Sequence, residues 1–344
     1  MKDKVKLGIV GFGRIVELVH VPLLKKIPEI EVAGVYDITP QRLELASKRG
    51  FTVFEQLNDL LSSSVDAVLI ATPPNSHFFI AAEALRCGKH VFVEKPVTLN
   101  THEALVLQAL AEDVNRTITV FHNRRFDGDF LLVKQVMEEG VLGSVLFVNR
   151  CIHRFGSGAA FGVKSFHSEW RNEAQYGGGA LLDWGIHLID QLLELRIGEC
   201  ASINSRMHRL PWNQGEVEDY VHASLSLENG IMLSMEINFA SNAPIPIWVV
   251  GGDKATLHIV SDKEAYLIEK GKIVRHITSD MFPKAGAERI YSSFAGYILR
   301  REALEVTLEQ AILAMQMLDA IRESARTRKE MSYGSAILGT ATGI

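Results

Sequence analysis

Along the first 122 residues, short apolar runs alternate with stretches of helical spacing. The runs are Lys6–Val10, Val32–Tyr36, Thr52–Phe54, Val65–Ala71, His90–Val93 and Thr117–Phe121. Each is rich in Val, Ile and Phe and continuous in hydrophobicity, as strands buried on both faces must be. Helix signals separate them. Thr39-Pro40 reads as an N-cap followed by proline at the first helical position. Asn100 with Glu103 has capping-box spacing, and Gly88 sits where a C-cap glycine belongs. Alternation of this kind predicts an α/β unit with a doubly wound parallel sheet.

The texture changes after about Arg124. A helix over Phe130–Glu139 leads to a strand at Val145–Arg150, then to a polar loop from His153 to Asn172. A second helix begins after Gly177-Gly178-Gly179. From Ser202 to Ile277 strand follows strand, with turns at Glu228-Asn229-Gly230, Gly251-Gly252-Asp253 and Lys270-Gly271-Lys272. Strands without intervening helices predict an α+β domain with a large open, mostly antiparallel sheet. A long amphipathic helix, Thr307–Arg326, closes the pattern. The predicted domains are 1–123 and 124–344.

Composition narrows the picture. A chain of 344 residues suits two domains, and its 47% hydrophobic and 22% charged residues are those of a globular enzyme. The net charge of −5 comes without a basic stripe, so neither nucleic acid nor a membrane surface is an expected partner. The apolar run ending at Val10 is too short for a signal-peptide core, and Cys87, Cys151 and Cys200 are odd in number and far apart. A reducing cytoplasm is the expected location.

Gly11-Phe12-Gly13 directly follows the first strand, and Arg14 and Ile15 open the next helix. The first glycine permits a tight turn, the second lets a pyrophosphate approach the backbone, and the helix N-terminus presents free amides. Val16 occupies the third glycine position, which bears on helix–strand packing and not on the phosphate cradle. Asp37 ends the second strand about twenty residues later, where a carboxylate accepts from ribose hydroxyls and repels a 2′-phosphate. These features predict a Rossmann domain with NAD preferred to NADP. Arg42 is close enough to soften that preference, and a plain capping role for Asp37 is the simpler alternative.

At Glu94-Lys95-Pro96 the chain resembles the Gfo/Idh/MocA family, the glucose–fructose oxidoreductase and inositol dehydrogenase relatives. Gly8–Gly13, Ala71–His77, Gly88–Pro96, Gly177–Asp190 and Ala320–Ala325 carry the resemblance nearly end to end. Phe121–Asp127 looks most like the scyllo-inositol dehydrogenase branch. The resemblance implies that Thr72, Pro73, Asn75, His77, Glu94, Lys95 and Asn123 line the cofactor. It also implies that Trp170 and Arg171 lie near the nicotinamide or substrate, and that the second sheet pairs with another subunit in a homodimer or homotetramer. Family members generally work without metal, and His122, His153, His167 and Glu169 form no ligand spacing.

The residue chemistry agrees with that implication. Oxidising a secondary alcohol needs an acceptor for the hydroxyl proton while hydride leaves for nicotinamide. Lys95 at the carboxyl end of a buried strand can stabilise a developing alkoxide or shuttle its proton. Asp183 and His187 lie four apart on a predicted helix, so His187 is expected to titrate near neutrality with Asp183 orienting it. Arg124 and Arg125 can bind substrate hydroxyls, though two arginines near a domain boundary also suit an ion pair. Plainer readings make Asp183 a dipole partner, His187 a core histidine and Trp170 simple packing. The expected activity is hydride transfer to or from a sugar or cyclitol. The alternatives are an NAD-binding regulator of the same fold, or a glycoside-cleaving enzyme that uses NAD transiently.

Overall fold

The computed structural model describes residues 3–156, 167, 169–211 and 213–333. Strands β1 (Val5–Val10), β2 (Ile30–Tyr36), β3 (Val53–Phe54), β4 (Ala67–Ile70), β5 (His90–Val93) and β6 (Ile118–Val120) form a parallel sheet in the order β3-β2-β1-β4-β5-β6. All six expected strands are present, with ends moved by a residue or two. Winding reverses between β1 and β4, so the carboxyl ends of these two strands flank the crevice where such sheets bind ligands.

Helices α1 (Val21–Leu24), α2 (Pro40–Lys48), α3 (Leu57–Ser62), α4 (His77–Arg86) and α5 (Thr101–Asp113) connect the strands. The helix expected after the glycines begins instead as a π-helical turn over Val16–His20 before narrowing into α1. Pro22 has no N–H to give Leu18, so regular i→i−4 bonding fails there. Two caps differ from expectation. The Thr39 side chain makes no cap bond; its own amide donates to Asp37 Oδ1 at 2.8 Å. Asn100 Oδ1 accepts from Glu103 N, but Glu103 Oε2 accepts from Leu99 N and not from Asn100, so the box closes one residue early.

Behind this sheet follow α6 (Gly128–Glu138), β7 (Val145–His153), α7 (Ile186–Glu194), β8 (Cys200–His208), β9 (Tyr220–Leu227) and β10 (Met232–Asn238). Next come β11 (Trp248–Gly252), β12 (Thr256–Ser261), β13 (Glu264–Glu269), β14 (Lys272–Thr278), α8 (Glu288–Arg300), α9 (Leu308–Thr327) and β15 (Met331–Ser332). The strands order as β14-β13-β12-β11-β7-β10-β9-β8-β15, antiparallel apart from the β7–β10 pair. Part of the predicted polar loop His153–Asn172 lies outside the described residues.

Burial alternates strictly along β9 and β10, as a sheet with one covered face requires. Helices α6, α7 and α9 pack against the inner face. Three helices, and not the closing helix alone, cover that face. The other face is mixed, carrying Phe147 and Val249 beside Asn149, His222, Ser224, Ser234 and Glu236, all half-buried.

Helix α8 was not read from the sequence at all. It crosses back to pack on β1 and α1, while α9 packs on α5 and β6. Both helices therefore return the chain to the first sheet, and the apolar cores of the two sheets merge into one cluster.

Candidate active site

The glycine turn sits at the β1–β4 reversal. Gly11 has φ +89°, and a Cβ there would meet Ala71 O at 2.8 Å, so the turn admits only glycine. A Cβ on Gly13 would meet nothing within 4 Å, which leaves open space at the mouth of the turn. Phe12 turns its ring into the core, edge-on to Phe51, while its amide donates to Asp37 Oδ2 at 2.6 Å. Asp37 thus ties the end of β2 to the glycine turn and keeps its carboxylate at that mouth. Arg42 is already committed, with Nη1 3.5 Å from Glu17 Oε2. Arg14 and Ile15 lie exposed at the start of the following turn. Glycine turn, free space and carboxylate fit a dinucleotide.

Lys95 leaves the carboxyl end of β5 two residues after Val93. Its Nζ donates to Asp183 Oδ1 at 2.9 Å and to the Asp183 carbonyl at 2.7 Å. Asp183 Oδ2 lies 3.3 Å from Arg171 Nε. Burial alone would raise the Asp183 carboxyl, but Lys95 and Arg171 outweigh it and hold the pKa below its ordinary value. Asp183 comes from a π-helical turn, Leu181–Gly185, that precedes α7. The turn starts after Gly179, whose φ of +109° and contact with the Glu218 carboxylate exclude a side chain. Glu218 Oε1 accepts from Leu181 N at 2.8 Å and caps the turn from a distant loop.

His187 follows in α7, buried, with no hydrogen bond among the described residues and Nδ1 shut away from solvent. Two expectations fail here. Asp183 orients Lys95, not His187: its carboxylate is taken up by Lys95 and Arg171. His187 does not titrate near neutrality either. Burial, reinforced by Lys95, Arg124, His122 and Arg150, drives its pKa well below the usual value, so at pH 7 it is a neutral imidazole.

Trp184, one residue after Asp183, forms a wall beside His187, with ring centroids 6.3 Å apart. The guanidinium groups of Arg124 and Arg154 lie 4.7 and 4.5 Å from its ring centroid. Trp184 Nε1 and Arg124 Nε are buried and have no hydrogen-bond partner among the described residues. Trp170 stands in a 3₁₀ turn with the Arg171 guanidinium 4.2 Å from its ring centroid, which brings both residues to the Asp183 side of the site.

Other expected ligand residues are engaged within the fold. Glu94 Oε1 lies 2.8 Å from His20 Nε2, and Glu94 Oε2 accepts from Lys95 N at 3.1 Å. His20 Nδ1 in turn meets the Tyr291 hydroxyl at 2.6 Å. Burial would raise the Glu94 carboxyl, but the His20 bond and Lys95 keep it below its ordinary value. His20 and Tyr291 belong to this network and were not singled out from the sequence. His77 is buried, with Nδ1 2.8 Å from Pro96 O and Nε2 2.9 Å from Thr72 O. Burial lowers its pKa, so one contact at a time carries the proton, and the ring braces the two loops together.

Thr72 Oγ1 and Ser76 Oγ are 2.6 Å apart, Pro73 leads into the 3₁₀ turn on the same edge, and Asn75 lies within it. Asn123 starts the 3₁₀ turn that separates the two arginines. Arg125 points inward and clasps Asp190 through Nε and Nη2 at 2.8 and 2.6 Å, so it forms the ion pair and not a substrate contact. His122 lies 3.6 Å from Asp190, His153 pairs with Glu236 and His167 with Glu173.

Two family descriptions match the chain: an oxidoreductase family with an NAD-binding Rossmann fold over residues 5–122, and the GFO/IDH/MocA C-terminal domain over 130–258. The oxidoreductase YdgJ of Escherichia coli is 34% identical over 66% of this chain. The scyllo-inositol 2-dehydrogenase (NADP(+)) IolW of Bacillus subtilis is 29% identical over 65% of it. The matches span 63% and 60% of the lengths of these two relatives. A solved structure, an NAD-binding protein from Listeria innocua, superposes with a TM-score of 0.86 at 30% identity, covering 96% of this chain and 97% of its own. Among the described residues no helix is long and apolar enough to cross a membrane. With both halves matched in register and the fold shared end to end, this chain belongs to the Gfo/Idh/MocA family of oxidoreductases.

Proposed function

We propose that this protein transfers hydride between NAD and a secondary alcohol or ketone of a sugar or cyclitol. The observation that carries the reading is Lys95, held by Asp183 at 2.9 Å on the ligand edge of the first sheet, beside a buried neutral His187. When bound, the dinucleotide supplies the hydride acceptor. The protein supplies the rest. Neutral His187 has a lone pair for the hydroxyl proton, and the Lys95 ammonium donates a hydrogen bond to the oxygen as negative charge grows there. Asp183 fixes the direction in which that ammonium points, and Arg171 and Trp170 bound the pocket. In the reverse direction the same groups return a proton to the alkoxide.

Asp37 and the committed Arg42 support NAD over NADP, whereas IolW is named for NADP(+). A panel of inositols and aldoses with each cofactor, followed at 340 nm, tests the reading. NAD should win by tenfold or more in kcat/KM, since a phosphate set against a carboxylate costs over ~1.4 kcal/mol. Failure of every polyol to change the absorbance sinks the hydride-transfer proposal.

The half-buried outer face of the second sheet supports pairing between copies of this chain. Light scattering at micromolar concentration should report a dimer or tetramer, and a monomer of 38.2 kDa would overturn that pairing.

A further inference from the structure

We propose that Glu17 is a positioning residue for cofactor choice: it holds Arg42 back from a 2′-phosphate on the adenosine ribose, and its removal opens the site to NADP. The inference rests on the NAD preference proposed above and names the residue that enforces it. Asp37 joins two segments at the mouth of the glycine turn. Its Oδ2 accepts from the Phe12 amide at 2.6 Å and its Oδ1 from the Thr39 amide at 2.8 Å. Arg42 follows on the first turn of α2, its own amide donating to Thr39 O at 2.9 Å. Glu17 stands on the glycine-turn side, its amide donating to Gly13 O at 3.2 Å. The ion pair from Arg42 Nη1 to Glu17 Oε2, at 3.5 Å, therefore links the same two segments that Asp37 joins.

The side chains of Arg42 and Glu17 are only 17% and 19% exposed, so water screens their pair less than an open surface contact. Arg49 reaches the other Glu17 oxygen at 3.3 Å from a side chain that is 63% exposed. Among the described residues neither arginine has another ion-pair partner, so Glu17 is the carboxylate that occupies both. A 2′-phosphate arrives with about two negative charges. It would meet the carboxylates of Asp37 and Glu17, with the Arg42 guanidinium already engaged. Removing the Glu17 charge changes both conditions. One carboxylate disappears, and a planar fork that suits two phosphate oxygens is released. The ribose hydroxyls of NAD carry no charge and gain little from that release. Arg14, exposed beside the glycines, is common to every variant and cancels when the two cofactors are compared.

The test is fluorescence titration with NADH and with NADPH, which needs no turnover, on the wild type, Glu17→Gln, Arg42→Gln and the double variant. In Glu17→Gln the dissociation constant for NADPH should fall by about threefold or more relative to that for NADH, the scale of a partly exposed ion pair. Arg42→Gln alone should move that ratio by less than about twofold, since a held arginine offers the phosphate little. In the double variant the gain should vanish, because it runs through Arg42. With NADP as oxidant, Glu17→Gln should lower KM and leave kcat near the wild-type value. Glu17→Ala repeats the removal without an amide. An unchanged ratio in both Glu17 variants overturns the inference, and so does an equal gain with and without Arg42. A ratio that moves toward NADH would show Glu17 presenting Arg42 to the phosphate, which overturns it as well. Wild-type protein that binds NADPH as tightly as NADH sinks the NAD preference by itself. A gain in Glu17→Gln that needs Arg42 upholds the hold on Arg42 even then.

Discussion

Two sets of buried polar side chains flank Lys95, and they are solved in opposite ways. On the Glu94 side, Tyr291 donates to His20 Nδ1, His20 Nε2 donates to Glu94, and Glu94 accepts the Lys95 amide. Every polar atom in that chain has a partner, and Tyr291 is further stacked on Phe92 at 4.2 Å. On the Trp184 side, Trp184 Nε1, Arg124 Nε and His187 Nδ1 are buried with none among the described residues. An unpaired buried polar group costs about 1–3 kcal/mol, so a fold does not collect three of them side by side without a reason. The paired set serves the fold and sets the position of the lysine backbone. The unpaired set faces the space where the proposed hydride transfer would take place. Polar satisfaction, more than residue type, separates scaffold from site here, since both sets contain a histidine with a low exposure and an aromatic neighbour.

The largest expected effect comes from the reactive side. Lys95→Ala should lower kcat by roughly 10²–10⁴, the usual contribution of a positioned proton-transfer group, and His187→Ala should do likewise. NADH affinity, read by fluorescence titration, should change little if the glycine turn and Asp37 hold most of the dinucleotide. Combining the two substitutions should cost far less than the product of the single losses, since both act on one oxygen. Near-normal kcat in His187→Ala would make His187 a core residue and erase the distinction between the two sides.

Smaller changes should follow from the paired side, and they should appear first in stability. Tyr291→Phe strips the donor from His20 Nδ1, and Glu94→Gln turns an acceptor into a group that also presents N–H to a donor. Each should cost about 1–3 kcal/mol of folding free energy. At roughly 2–4 °C per kcal/mol for a chain of this size, melting temperatures should fall by several degrees. Because the Lys95 backbone rests on Glu94, kcat should drop up to about tenfold while KM and NADH affinity stay near the wild-type values. A loss of stability with kcat per folded molecule unchanged would show that the network holds the fold and does not position the lysine.

The sequence made these two sides unequally visible. The glycine turn, Asp37, Lys95, Asp183 and His187 announce themselves by chemistry and spacing within one or two elements. The Glu94 network joins His20 to a tyrosine 271 residues away, and no local pattern encodes such a contact. Its carrier, α8, did leave a trace in Ile290, Tyr291, Phe294 and Ile298, spaced for one helical face, but that segment follows Pro283-Lys284-Ala285-Gly286, a stretch with loop composition. Arg124 and Arg125 look interchangeable in the chain. A 3₁₀ turn sends one to Trp184 and buries the other on Asp190, a choice made by tertiary packing. The pairing expected of Asp183 with His187 assumed an ordinary helix. The chain is instead π-helical over Leu181–Gly185, and the partner of Asp183 is Lys95, which follows β5 of the first sheet and lies 88 residues away in sequence.

The smallest expected effect is in pH dependence, and its sign follows from the unpaired side. An ordinary imidazole would be half protonated near pH 6.5, and activity that needs its neutral form would fall through that value. His187 is held well below that value by burial and by the cations around it, so its neutral form persists through mild acid. In the oxidation direction kcat/KM should therefore change less than about twofold between pH 7.5 and 6, with the acid limb displaced downward. Stability imposes a separate limit. His90 and His122 are each lowered by burial to about 4, so the unfolded chain takes up protons below pH 6.5 while the native state does not. Stability is then lost as pH falls, by up to about 1.4 kcal/mol per unit for each group until pH nears 4. Initial rates after brief exposure, with a return to pH 7.5 as the control for unfolding, separate the two limbs. A reversible acid limb centred near pH 6.5, abolished in His187→Ala, would show that the imidazole titrates as it does in water and that the cations around Trp184 do not reach it.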